Sequence, residues 1–186
     1  MTEIAFTQMK DIKEIMLSDI SNERLSEIIL SEGDAQKHNT SLKCDMTEWR
    51  LHKKYEDVKK LSDTIQELVG DMVGDKGRWR FILSECWGAV YHKGETSVPH
   101  DHFPFAISFV YFVQIPEGSS PLIFDESHKW NMEKEITEKH IIMPKTGKLV
   151  IFPSDCKHSV PPSVIDEERI VIAGNLFYLP NEVELK

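Results

Sequence analysis

The spacing of apolar and polar residues divides the chain near residue 77. Before that point the repeats are mostly helical. Leu25, Ile28, Ile29 and Leu30 crowd one side of a short segment that Ser21 or Asn22 could cap. Val58, Leu61, Ile65, Leu68 and Met72 recur at steps of three and four, which predicts an amphipathic helix over about residues 54–73. Lys59, Lys60, Asp63 and Glu67 fall largely off that face, so the helix is expected to pack on a sheet rather than bind a ligand. Between these segments, GDAQKHNTSLKCDMTEW is polar and irregular and reads as a surface loop, with a lid or partner surface over residues 31–53 as the alternative.

After Gly77 the pattern becomes strand-like. RWRFILSECWGAVY is rich in aromatic and branched residues, and FAISFVYFVQI is a continuous apolar run followed by the turn PEGSS. PLIF, EITEKHIIM, GKLVIF and RIVIAGNLFYL follow, separated by Gly, Pro, Asp or Ser. Six or so short strands with turns between them suggest a sandwich or barrel, most simply a jelly roll. The expectation is a single mainly β domain over 1–186. A mostly helical part, 1–76, would pack on a β core, 77–180, and NEVELK would form a solvated tail.

Composition changes this picture little and narrows the function. Hydrophobic residues make up 40% of the 186, enough for a packed core. A net charge of −9 argues against a general nucleic-acid binder, which needs a basic footprint, but leaves room for a small anion held by local cations. The N-terminal stretch lacks the apolar centre of a signal peptide, and no apolar run reaches the ~18 residues of a membrane span. A cytoplasmic protein with no membrane or nucleic-acid partner is expected. Cys44, Cys86 and Cys156 are odd in number and far apart, so they are expected to be reduced thiols rather than a disulfide or thiolate zinc framework.

The candidate chemistry begins in VPHDHFPF. Side chains alternate along a strand, so His100 and His102 share a face and Asp101 points away if Pro99–Phe103 is extended. Two imidazoles on one face can chelate Fe(II), Zn(II) or Mn(II), although an HxH pair alone is a modest signal and more often a surface or hydrogen-bonded pair. A third ligand must come from another strand. His158, just after the apolar strand GKLVIF, is the best placed. Cys156 shares its side by parity, either as a soft ligand or as a turn filler. Arg169 opens an apolar strand on which Arg169, Val171, Ala173 and Asn175 share a face. Pointing inward it needs an anion; the alternative is a strand-end arginine reaching for water. Facing a metal, it fits a dicarboxylate whose near end joins the metal and whose far end takes the guanidinium.

These residues bring a family into view. YHKGETSVPHDH resembles the strand, turn and first metal motif of the 2-oxoglutarate- and Fe(II)-dependent dioxygenases, nearest to the prolyl 4-hydroxylase-like branch. Tyr91, Gly94, Pro99 and His100 match that branch without a gap. SFVYFVQIPEGSSPLIF is similar to the family's next hairpin, and GKLVIFPSDCKHSVPP…RIVIAGN to its closing strands. The likeness covers about Trp79–Tyr178 and is closest to small stand-alone oxygenases with an HxH motif and an R-I-x-I-A-x-N ending. It implies a double-stranded β-helix, the cupin-like jelly roll of two facing sheets. Fe(II) would be the metal, 2-oxoglutarate and O2 the co-substrates, and ascorbate a candidate reductant. Oxidative decarboxylation of 2-oxoglutarate to succinate and CO2 would drive hydroxylation of an organic substrate. His100 and His158 would be metal ligands and Arg169 would bind the far carboxylate of 2-oxoglutarate. Tyr91 and Tyr111 fall where family tyrosines line the co-substrate pocket, and Asn175 matches the closing motif without an assigned role.

Two departures stand out. The family's usual carboxylate position is His102, leaving either a three-histidine site or one in which Asp101 turns inward; strand parity favours His102. Val171 stands where a hydroxyl often assists the arginine. The competing functions are a cupin-like three-histidine enzyme that does not use 2-oxoglutarate, and a silent metal- or ligand-binding jelly roll. A peptidyl proline, a free amino acid and another small metabolite are all compatible substrates, and a homodimer is compatible with the fold.

Overall fold

The computed structural model of the chain describes residues 12–73, 79–126 and 138–180. His128 and the NEVELK tail lie outside these residues. Along the chain run β1 (Lys13–Met16), α1 (Asn22–Glu32), β2 (Leu42–Lys43), β3 (Asp45–Met46) and a 3₁₀ turn (Leu51–Lys53). Next come α2 (Glu56–Val73), β4 (Trp79–Tyr91), β5 (Thr96–His100), β6 (Ile107–Gln114) and β7 (Leu122–Glu126). The last elements are β8 (Glu138–Ile142), β9 (Lys148–Pro153), β10 (His158–Val160) and β11 (Arg169–Pro180).

Two antiparallel sheets face each other. The larger has the order β1-β9-β6-β11-β4-β3 and the smaller β2-β5-β10-β7-β8. This is the jelly roll expected from the strand pattern. Strand alternation sorts side chains into two cores. On β6, Ile107, Phe109, Tyr111 and Val113 face the helices, while Val110 and Phe112 face the second sheet. On β11, Ile170, Ile172 and Leu176 face the helices, while Val171 and Ala173 face inward.

The helices cover the outer face of the larger sheet with Leu25, Ile28 and Ile29 from α1 and Val58, Leu61, Ile65 and Val69 from α2. Burying each such side chain contributes about 1.5–3 kcal/mol. Gly88 lets α1 sit down on β4: a Cβ there would lie 2.6 Å from Ile29 Cγ1. Polar contacts fix the layer. Tyr111 donates its hydroxyl hydrogen bond to Asn22 Oδ1 at 2.8 Å, and the Leu83 N–H donates to Gln66 Oε1 at 3.0 Å. Two residues of the expected stripes are exposed, Leu30 at 46% and Met72 at 37%. A 3.5-residue repeat drifts about 20° per heptad round a straight helix, so by the end of α2 Val69 lies on the contact line and Met72 beside it.

The polar segment before the 3₁₀ turn is not simply a surface loop. β2 pairs with β5 and β3 with β4, so this stretch borders both sheets and places Cys44 fully inside. The Asp34 carboxylate organises its entry by accepting the N–H groups of Gln36, Lys37 and Met46. The N-terminal part is also not wholly helical, because β1 adds an edge strand to β9. None of the three cysteines forms a disulfide among the described residues. No described helix is long and apolar enough to cross a membrane.

Candidate active site

The site lies between the sheets, where β5 and β10 meet the interior of β4, β6 and β11. His100 and His158 are direct partners in the β10–β5 pairing, and His102 follows as the chain leaves β5. The three rings converge, with centroids 4.4 Å apart for His100 and His158, 4.9 Å for His100 and His102, and 5.0 Å for His102 and His158. One nitrogen from each lies within 4.8 Å of the other two, a spacing that could hold one ion. Two rings are oriented by the backbone. His100 Nδ1 lies 2.8 Å from the Val98 carbonyl and His158 Nδ1 lies 2.9 Å from that of Cys156. A carbonyl only accepts, so Nδ1 carries the proton and Nε2 keeps a lone pair for a metal.

The electrostatics suit ligands rather than cations. Burial, then the neighbouring imidazoles, hold His158 down at about 3, and burial, then His100, hold His102 at about 3. Burial also lowers His100. All three are neutral at neutral pH, as metal ligation requires. Asp101 does not join them: its carboxylate is exposed and accepts the Phe103 N–H at 3.1 Å. Cys156 sits in the turn after β9, with its N–H on the Pro153 carbonyl.

Arg169 is 1% exposed and stands across the β11–β4 pairing from Tyr91. Its guanidinium carbon lies 4.7 Å from the centre of the Tyr91 ring and 5.5 Å from that of Phe112. No carboxylate pairs with it among the described residues, and Nε and Nη1 have no hydrogen-bond partner. Burial lowers the guanidinium's proton affinity, partly offset by Tyr91 and Cys44. A charge with two orphaned donors in the interior costs several kcal/mol unless an anion completes it. That observation, together with three neutral imidazoles, is the fit expected for a ferrous ion and a dicarboxylate.

Two expected pocket residues lie elsewhere. Tyr111 faces α1, not Arg169, because β6 turns its odd residues toward the helices; Phe112 supplies the aromatic face instead. Asn175 shares the inward face but lies six residues along β11 from Arg169. Its Oδ1 accepts the Ser108 hydroxyl at 2.8 Å and its Nδ2 donates to Glu85 Oε2 at 3.0 Å. Ser154 Oγ, 2.7 Å from Ser108 Oγ, completes a polar row that runs from the residue after β9 across β6, β11 and β4. The row also anchors the histidine segment, since the His102 N–H donates to the Ser154 carbonyl at 2.7 Å.

Two residues at the site escaped the motif reading. Cys44 reaches the Tyr91 hydroxyl beside Arg169, and burial pushes both groups' pKa values up. The alternation of Leu42, Cys44 and Met46 is the signal that could have found it. Trp87 lies with its ring 5.9 Å from that of His102, its indole N–H unpartnered and its edge against Trp49.

Residues 85–175 match the family described as "Putative 2OG-Fe(II) oxygenase". No curated protein matches the chain in sequence. Among solved structures, the viral collagen prolyl hydroxylase of Paramecium Bursaria Chlorella virus-1 is similar over 90% of this chain and 96% of its own, with a TM-score of 0.65 and 16% identity. A Pseudomonas putida prolyl-4-hydroxylase is similar over 89% and 91%, with a TM-score of 0.64 and 18% identity. The α-ketoglutarate-dependent epimerase SnoN from nogalamycin biosynthesis is similar over 94% and 80%, with a TM-score of 0.68 and 16% identity. These likenesses share the fold, and the family match supplies the chemistry: an enzyme using Fe(II), 2-oxoglutarate and O2 on an organic substrate. The match over residues 85–175 and the shared architecture support a 2-oxoglutarate- and Fe(II)-dependent oxygenase of prolyl-hydroxylase-like fold.

Proposed function

We propose that His100, His102 and His158 hold the ferrous ion, that Arg169 with Tyr91 holds the far carboxylate of 2-oxoglutarate, and that the enzyme hydroxylates a C–H bond of its organic substrate. The observation that carries this reading is Arg169: a fully buried guanidinium with orphaned Nε and Nη1, on the same interior as three converging neutral imidazoles. A metal-only jelly roll has no need of that cation. The bound iron and 2-oxoglutarate supply the oxidising power, with succinate and CO2 as co-products. The chain's residues supply position. The Val98 and Cys156 carbonyls hold two rings with Nε2 inward, and Tyr91 and Phe112 keep the guanidinium flat and dry.

Replacing the family's carboxylate by His102 changes the charge balance. Three neutral imidazoles leave the ferrous centre with both positive charges, so an anionic co-substrate gains more on binding than it would beside a carboxylate ligand. The shared core of helices and larger sheet supports treating the whole chain as one domain.

The test is anaerobic addition of Fe(II) and 2-oxoglutarate. A weak visible charge-transfer band that saturates at one equivalent of each and is absent from the His158→Ala variant is the expected result. No band, or one that survives loss of His158, contradicts the assignment.

A further inference from the structure

The inward faces of β4 and β11 carry eight side chains between Glu85 and Tyr91 and between Arg169 and Asn175, and only Arg169 and Glu85 are charged. They stand at opposite ends: Arg169 pairs across with Tyr91, and Asn175 pairs across with Glu85. Trp87, the next inward residue from Glu85, lies beside His102.

The polar row ends on Glu85. Ser108 spends its proton on Asn175 Oδ1, so the proton between Ser108 and Ser154 belongs to Ser154. Asn175 then donates to Glu85 Oε2. Every donor in the row points toward Glu85, whose carboxylate ends it. Asn175 is its one hydrogen-bond partner among the described residues, no cation pairs with it, and it is half-buried rather than sealed. Around this end stand aromatic faces. Phe105 and Phe177 stack at 4.4 Å, Trp87 has its N–H unpartnered, and Phe103 is 75% exposed on the turn after His102. A carboxylate on the same strand face as Trp87, two residues along β4, is chemistry that recognises an organic cation.

We infer that the primary substrate carries an ammonium or guanidinium group and that Glu85 binds it at the end of the site opposite Arg169. This rests on the metal and co-substrate assignment above, and it orders the two substrates by charge: the dianion toward Arg169, the cation toward Glu85. The net charge of −9 favours encounter with such a substrate.

The experiment titrates the anaerobic Fe(II)–2-oxoglutarate complex with three blocked residues, N-acetyl-lysine-N-methylamide, N-acetyl-arginine-N-methylamide and the uncharged N-acetyl-norleucine-N-methylamide. Binding beside the iron is read as a shift of the visible band. At least one cationic probe is expected to bind tenfold or more tighter than the norleucine probe. Glu85→Gln keeps an oxygen for Asn175 and removes the charge; it is expected to retain the band and the melting temperature while losing that preference, and Glu85→Asp to keep part of it. A purely structural Glu85 would leave the preference unchanged in the Gln variant, which overturns the inference. Wild-type protein that forms the band but binds no cationic probe better than norleucine overturns it without any variant. Absence of the band altogether condemns the iron and 2-oxoglutarate assignment instead.

Discussion

His158 stands directly opposite His100 across the β10–β5 pairing, with ring centroids 4.4 Å apart and each Nδ1 on a backbone carbonyl two residues upstream. Two short strands thus fix two of the three imidazoles proposed to hold the metal. His100→Ala and His158→Ala should each remove stoichiometric Fe(II) or Mn(II) binding, measured by calorimetry under anaerobic conditions. Wild-type affinity in either variant would take that residue out of the site.

The third position separates His102 from Asp101. His102→Ala should lose the metal, whereas Asp101→Ala should keep it and lose only the cap on the Phe103 N–H. His102→Asp, which restores the family's more usual carboxylate, should bind metal again. Metal release by the Asp101 change alone would reverse the ligand assignment.

Arg169 offers a test in which stability and binding move apart. A charge-assisted pair contributes about 1.5–3 kcal/mol, so Arg169→Ala should raise the 2-oxoglutarate concentration required by one or more orders of magnitude. Arg169→Leu removes an unpaired buried charge, and its ligand-free melting temperature should equal or exceed wild type while stabilisation by added 2-oxoglutarate disappears. A fall in melting temperature with 2-oxoglutarate stabilisation intact would show that the guanidinium is structural.

The two tyrosines should behave differently. Tyr111→Phe loses the bond to Asn22, should cost about 1 kcal/mol in chemical denaturation, and should leave 2-oxoglutarate binding unchanged. Tyr91→Phe should weaken 2-oxoglutarate binding. The reverse outcome would mean that the layering of β6 has been misread.

Much of this was legible because one physical rule does most of the sorting. Alternation along β11 puts Arg169 and Asn175 on the inward face, and alternation at the end of β5 brings His100 and His102 together. The same rule could not say which parity of β6 faces inward, since both of its faces are buried and apolar. Tyr111 was therefore placed in the pocket on resemblance alone. Cys44 was missed because its alternation with Leu42 and Met46 spans only two two-residue strands inside a polar stretch. Glu85 was missed because an acid in an apolar strand declares itself only once Asn175, Ser108 and Ser154 line up in one row.

The central claim is spatial: one metal on three imidazoles, one dicarboxylate between that metal and Arg169. A crystal structure of the protein with Mn(II) and 2-oxoglutarate, grown without O2, tests it most directly. The expected map shows the ion bound by His100, His102 and His158, and the far carboxylate of 2-oxoglutarate on Arg169 Nε and Nη1. An ion bound through Asp101, or 2-oxoglutarate ordered with Arg169 still unpaired, would contradict it.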